Sequence, residues 1–170
     1  MPSERFVTAL NEQIGREFMA AHQYLAVATH YDAQTFPRLA RFFYEQADEE
    51  RGHAMRMVDY LLRAGTLPAL GEIPAPRRDF EDHVEPIRLA LEQERKVTTQ
   101  IGELFEIARE TRDHASEVFM QWFVEEQVEE ESSMEGLLAV AERVRDAPMM
   151  LEEFLAREGD QLGSRAPSTE

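Results

Sequence analysis

Glu50 and His53 stand three residues apart in the run Glu49-Glu50-Arg51-Gly52-His53. At helical spacing around them lies one apolar stripe: Leu39, Phe42, Phe43, Ala47, Ala54, Met57 and Leu61. Seven residues make nearly two turns, so Phe43 and Met57 fall almost directly below and above Glu50, and His53 shares that face. A carboxylate and an imidazole aimed into a core are costly unless a charge meets them there. The same break in an apolar stripe recurs three times. Glu17 lies seven residues from both Leu10 and Tyr24, and Glu94 seven from both Ile87 and Ile101. Gln127 lies between Met120 and Met134, and Glu130 between Phe123 and Leu137.

The elements that must position these groups are helices. Few Gly and Pro, many Ala, Leu, Glu and Arg, and sustained helical periodicity predict an all-α chain. The first helix is expected from about Ser3, a plausible cap, to Asp32. Pro37 suits a helix start, and the second helix runs from there to Ala64 before Gly65. The link between them is short enough to require antiparallel neighbours. Pro68, Gly71, Pro74 and Pro76 break the segment from Thr66 to Phe80, which becomes a long crossover. The third helix, about Asp82 to Thr111, then runs parallel to the second. After Arg112-Asp113 a fourth reaches about Arg145, and a short fifth carries Pro148 in its first turn and Met149 to Glu158 as its body. The fifth helix has an apolar face of Met150, Leu151, Phe154 and Leu155 with no evident place on a four-helix bundle, which suits contact between subunits. The expected division is one domain over residues 1–159 and a disordered polar tail over 160–170.

Composition narrows the chemistry. A chain of 170 residues buries a full core unaided. With no cysteine, disulfides, thiolate zinc sites, iron–sulfur clusters and thiol nucleophiles are excluded. No uncharged stretch is long enough to span a bilayer, and the start lacks a signal-peptide pattern, so a soluble cytoplasmic protein without a membrane partner is expected. A net charge of -16 argues against nucleic acid and is compatible with attracting cations.

Any one inward Glu, taken alone, reads as a mis-phased stripe or a side chain that snorkels out. The joint pattern reads differently. Glu17, Glu50, Glu94 and Gln127 each lie about halfway along their helices, so a bundle would bring them into one layer. Four carboxylates and an imidazole in a dry layer repel one another unless neutralised, and two divalent cations would do that. Mostly carboxylate with one His suits iron or manganese better than zinc.

The stretches EQIGREFMAAHQYLA, FFYEQADEERGHAM and FMQWFVEEQVEEE resemble those of bacterial non-haem ferritins, and the resemblance runs over essentially the whole chain. It implies a ferritin-like four-helix bundle with one long crossover connection and a short fifth C-terminal helix, its 1–159 domain carrying a di-iron site. By that resemblance Glu17, Glu50 and His53 hold one iron, with Glu50 bridging, and Glu94 and Glu130 complete the second. Gln127 would be a weak ligand or an amide that orients the others. The family pattern of Glu-x-x-His on two helices is broken here, since Gln127-x-x-Glu130 replaces the second copy and makes the site asymmetric. The resemblance also offers a third iron site from Glu49, Glu126 and Glu129, sharing Glu130; spacing alone makes those three a solvated acidic face. Tyr24 is either a core tyrosine or, as in ferritins, a partner of the adjoining Glu able to lend an electron, and Trp122 is either core or a further donor. Bacterioferritins carry a haem-ligating Met where this chain has Gly52, so no haem is expected.

The implied activity is that of a ferroxidase. Fe(II) and dioxygen react at the paired site, and Fe(III) mineral is stored inside a homo-oligomeric shell of twenty-four subunits. Two rival readings share the pattern: a di-iron oxidase or oxygenase acting on an organic substrate, and a metal-free helical interaction protein.

Overall fold

The computed structural model describes residues 1–162, and five helices make up the architecture of that region: α1 Glu4–Ala33, α2 Pro37–Arg63, α3 Glu85–Glu110, α4 His114–Arg143 and α5 Pro148–Leu162. None is long and apolar enough to cross a membrane.

Pairs of contacts fix the directions. Tyr24 meets Glu94 while Arg5 meets Glu110, so α1 and α3 are antiparallel. Phe6 packs on Tyr60 and Tyr31 on Phe43, which makes α1 and α2 antiparallel as well. Thr98 reaches Gln127 and Arg88 reaches Glu142, so α3 and α4 are antiparallel, and α2 and α3 run parallel as the crossover requires. The crossover lies along α1. The Ala69 N–H donates to Asn11, Gln23 donates to the Arg77 carbonyl and accepts from its N–H, and the Tyr31 hydroxyl donates to the His83 carbonyl. Four Pro and Gly residues therefore do not leave it loose.

Helix ends follow local chemistry. Ser3 caps α1 by accepting from the Phe6 N–H at 3.2 Å. Three helices finish with the same left-handed residue, at Thr35 (φ 64°), Gly65 (φ 76°) and Arg112 (φ 55°). In each, the next N–H reaches back five residues to a carbonyl: Phe36 to Tyr31, Thr66 to Leu61, Asp113 to Ala108. Only Gly65 adopts that conformation freely; Thr35 and Arg112 do so against about 1 kcal/mol of steric cost each. The third helix begins three residues later than the pattern predicts. Val84 is its N-cap, and Asp82, two residues before it, lies outside the helix and accepts from the N–H groups of Val84 and Glu85.

The fifth helix differs most from expectation. Leu151 and Leu155 are not an unpartnered face: both are buried in the chain's own core, against the cluster that includes Leu39, Met134, Leu137 and Ala141. Buried Glu152 explains the docking. Its carboxylate accepts from the backbone N–H groups of Arg38 (2.8 Å) and Leu39 (2.9 Å), capping an α2 N-terminus whose own Phe36 offers no side-chain cap. Met149 and Met150 stay exposed. The helix also runs to Leu162, into the expected tail, and positions 163–170 lie outside the described residues.

The core comes in two halves. One gathers Tyr24, Tyr31, Leu39, Phe43, Ile87, Leu91, Met134 and Leu137; the other Phe6, Leu10, Ile14, Met57, Leu61, Val97, Ile101, Met120 and Phe123. On every long helix the break between halves falls at the ligand-type positions: 14 to 24, 43 to 57, 91 to 97, 123 to 134. Two apolar plugs thus enclose one polar layer.

Candidate metal centre

Each long helix contributes to that layer where its apolar stripe breaks: Glu17 from α1, Glu50 and His53 from α2, Glu94 from α3, Gln127 and Glu130 from α4. All six are buried, Glu50 to 1% exposure and Glu94 to 0%. Their donor atoms converge in three overlapping groups: Glu17–Glu50–His53, Glu50–Glu94–Glu130 and His53–Glu126–Glu130, the atoms of each lying within 4.8 Å of one another. Glu50 belongs to the first and second, Glu130 to the second and third, and His53 to the third and first. His53 has the geometry for this, with Nδ1 3.5 Å from Glu50 and Nε2 3.7 Å from Glu130.

The hydrogen bonds hold one oxygen of each outer carboxylate. Gln13 Nε2 donates to Glu17 Oε1 at 2.7 Å, the Tyr24 hydroxyl donates to Glu94 Oε1, and Gln127 Nε2 donates to Glu130 Oε2. Gln127 is engaged at both ends, since its Oε1 accepts from the Thr98 hydroxyl at 3.1 Å. By contrast Glu17 Oε2, Glu50 Oε2 and Glu94 Oε2 are buried with no hydrogen-bond partner. An unsatisfied buried acceptor costs about 1–3 kcal/mol, and more when charged. Three in one layer call for a cation or for protons.

The electrostatics say the same. Burial, reinforced by Glu130, Glu94 and Glu17, pushes Glu50 well above the usual carboxylate range, and burial with Glu94 and Glu17 does the same to Glu130. Glu17 is raised by burial, against the opposing bonds from Glu50 and Gln13, and Glu94 is pushed up to about 7 by burial despite the Tyr24 bond. Burial, helped by the Arg56 charge, lowers His53 to about 4, so its imidazole is neutral at pH 7, the form that binds metal. This donor set fits a pair of oxygen-loving divalent ions: unpartnered carboxylate oxygens, one neutral imidazole, and a bridging position at Glu50.

Of the residues expected at a third site, Glu126 and the shared Glu130 come together in one group, completed by His53, while Glu49 and Glu129 join none among the described residues. Glu49 is exposed, accepts from Gln46, and feels the Glu126 charge, as Glu126 feels Glu129. Tyr24 is fully buried and bonded to Glu94. Trp122 meets His53 edge-on, ring centroids 5.5 Å apart, beneath the guanidinium of Arg56 at 4.0 Å. Sequence reasoning missed Gln13, which is fully buried. The available signal was its spacing, four residues before Glu17 on the same helix face.

Comparison with known proteins gives a consistent result. The family described as Ferritin-like domain matches residues 7–144. Ferritin BfrB of Mycobacterium tuberculosis (strain ATCC 35801 / TMC 107 / Erdman) is 43% identical over 159 residues, covering 94% of this chain and 88% of the relative. A bacterial non-heme ferritin of Staphylococcus epidermidis (strain ATCC 35984 / DSM 28319 / BCRC 17069 / CCUG 31568 / BM 3577 / RP62A) is 40% identical over 146 residues, 86% of this chain and 88% of the relative. The solved structure of a humanized archaeal ferritin superposes with a TM-score of 0.88 at 33% identity, covering 97% of this chain and 99% of the other.

Proposed function

The chain belongs to the ferritin-like family, and from that premise we propose that it is a cytoplasmic ferroxidase that stores the iron it oxidises. The observation that carries this reading is the polar layer itself: four buried carboxylates, one neutral imidazole and three unpartnered carboxylate oxygens, sealed between two apolar plugs.

Iron is here the substrate and the cargo. Glu17, Glu50 and His53 hold one Fe(II), Glu50, Glu94 and Glu130 the other, and Glu50 spans both. Two irons so held supply two electrons to one dioxygen without releasing a one-electron product. The carboxylates stabilise Fe(III) more than Fe(II), which drives oxidation. Gln127 acts as an orienting amide rather than a ligand, because both ends of its side chain are already bonded. Tyr24 keeps one Glu94 oxygen engaged and leaves the other for metal. Asymmetry between the two positions favours departure of the product. Glu49, Glu126 and Glu129 form a wetter acidic patch beside the pair, and Glu126 links it to the layer through His53 and Glu130, a route toward storage.

Storage requires a closed homo-oligomeric shell, proposed at twenty-four subunits. The test joins two measurements on the recombinant protein. Native mass must give a large closed particle, and that particle must consume oxygen when given Fe(II) alone, with no organic substrate. A monomer, or oxygen uptake only with an organic co-substrate, would overturn the proposal.

A further inference from the structure

We propose that Gln13 is a positioning residue of the metal centre: backed by Arg16, it fixes which oxygen of Glu17 faces the metal and so strengthens binding at the Glu17–Glu50–His53 position. The inference rests on the metal-centre reading above.

A fully buried amide must satisfy both of its ends. Gln13 does so, donating from Nε2 to Glu17 Oε1 at 2.7 Å and accepting at Oε1 from Arg16 Nη1 at 3.2 Å. A guanidinium has donors and no acceptor, so the amide oxygen has to face Arg16 and the NH2 has to face Glu17. The flip of this side chain is thereby set by charge. Arg16 is itself tied at the surface, its Nη2 3.3 Å from Glu12. A line of bonds thus runs from the solvent-side guanidinium to a buried carboxylate. It ends with Glu17 Oε1 occupied and Oε2 unpartnered in the layer.

The far end of the layer is built alike but tied differently. Gln127 donates to Glu130, and its Oε1 is held by the Thr98 hydroxyl. A hydroxyl both donates and accepts, so it tolerates either orientation of the amide. Glu17 is therefore held in one presentation by a charge-oriented amide, whereas the amide that holds Glu130 is backed only by a hydroxyl. Groups that orient a metal ligand commonly alter affinity by roughly 10–100-fold when removed.

The test is an anaerobic titration of the assembled protein with Co(II), whose visible absorption reports the ligands around it. Wild type is expected to take up Co(II) in two unequal steps. Gln13→Met, close in shape but without the amide, weakens one step roughly 10–100-fold and changes its spectrum. Arg16→Gln, a surface change that leaves the core packed, weakens the same step to a smaller degree. Gln127→Met weakens only the other step. If Gln13→Met and Arg16→Gln leave both steps unchanged, or weaken both steps equally together with thermal stability, the positioning role is wrong. If wild type takes up no Co(II), the metal-centre reading fails, and this inference with it.

Discussion

The phenol of Tyr24 on α1 donates a hydrogen bond to the carboxylate of Glu94 on α3 from within a fully buried ring. That bond favours ionised Glu94, against a burial penalty that lifts the group to about 7. Tyr24→Phe removes the donor and keeps the ring, so Glu94 should hold its proton to still higher pH. Anaerobic Fe(II) binding by the variant should be weakened most at pH 6–6.5 and approach wild type near pH 8. Superimposable pH profiles would show that the bond does not tune the site.

The same buried layer predicts the stability of the metal-free protein. Glu17, Glu50, Glu94 and Glu130 are all raised in the fold, so over the carboxylate range the folded chain binds more protons than the unfolded one. Their contribution is fully present below the unfolded pKa and is lost as pH rises, for Glu94 from about 4.5 to about 7. His53, lowered from 6.5 to about 4, opposes this over that interval, one group against four. Glu94→Gln, which cannot ionise, should therefore gain stability over metal-free wild type as pH rises from 5 to 8. Thermal melts at several pH values measure this, and a constant difference would contradict it.

Glu152→Ala tests the docking of α5. The carboxylate serves two N–H groups at the start of α2, and the loss of a helix cap is worth about 1 kcal/mol. A fall in Tm of roughly 2–4 °C is expected for a chain of this size. Glu152→Gln, which keeps one acceptor oxygen, should fall less. Equal losses in the two variants would mean that side-chain packing, not capping, holds the helix.

Glu126→Ala with Glu129→Ala addresses the acidic patch. Rapid oxidation of the first two irons per subunit should survive, while the oxygen consumed per iron and the turnover in later additions should change. Oxygen-electrode traces over repeated Fe(II) additions decide it. Wild-type behaviour throughout would make these glutamates a solvated face.

How much of this was legible in the sequence depended on which signals are periodic. The four stripes and the matched depth of Glu17, Glu50, Glu94 and Gln127 could be read because core burial repeats every three to four residues, and a charge in the stripe stands out. Gln13 did not stand out. Glutamine is an ordinary surface residue, and only the fold shows it sealed between Glu17 and Arg16. Gln127 was visible as a position but not as a posture, since the Thr98 bond that ties its oxygen comes from another helix. The place of α5 was misread for a similar reason. Its face was correctly apolar, yet Leu151 and Leu155 find their partners on α2 and α4, and Glu152 finds backbone N–H groups more than a hundred residues away. The left-handed ends at Thr35 and Arg112 carry no glycine, so nothing local announced them.

The most direct measurement is stopped-flow oxidation of two Fe(II) per subunit by dioxygen, wild type beside Glu50→Ala. Glu50 belongs to both groups that would hold the pair, and its loss takes a ligand from each iron at once. Wild type should show a fast phase consuming about one dioxygen for two Fe(II). Glu50→Ala should slow that phase roughly a hundredfold or more while the particle stays assembled. A variant that oxidises iron at the wild-type rate would contradict the assignment of this layer as the site of the reaction.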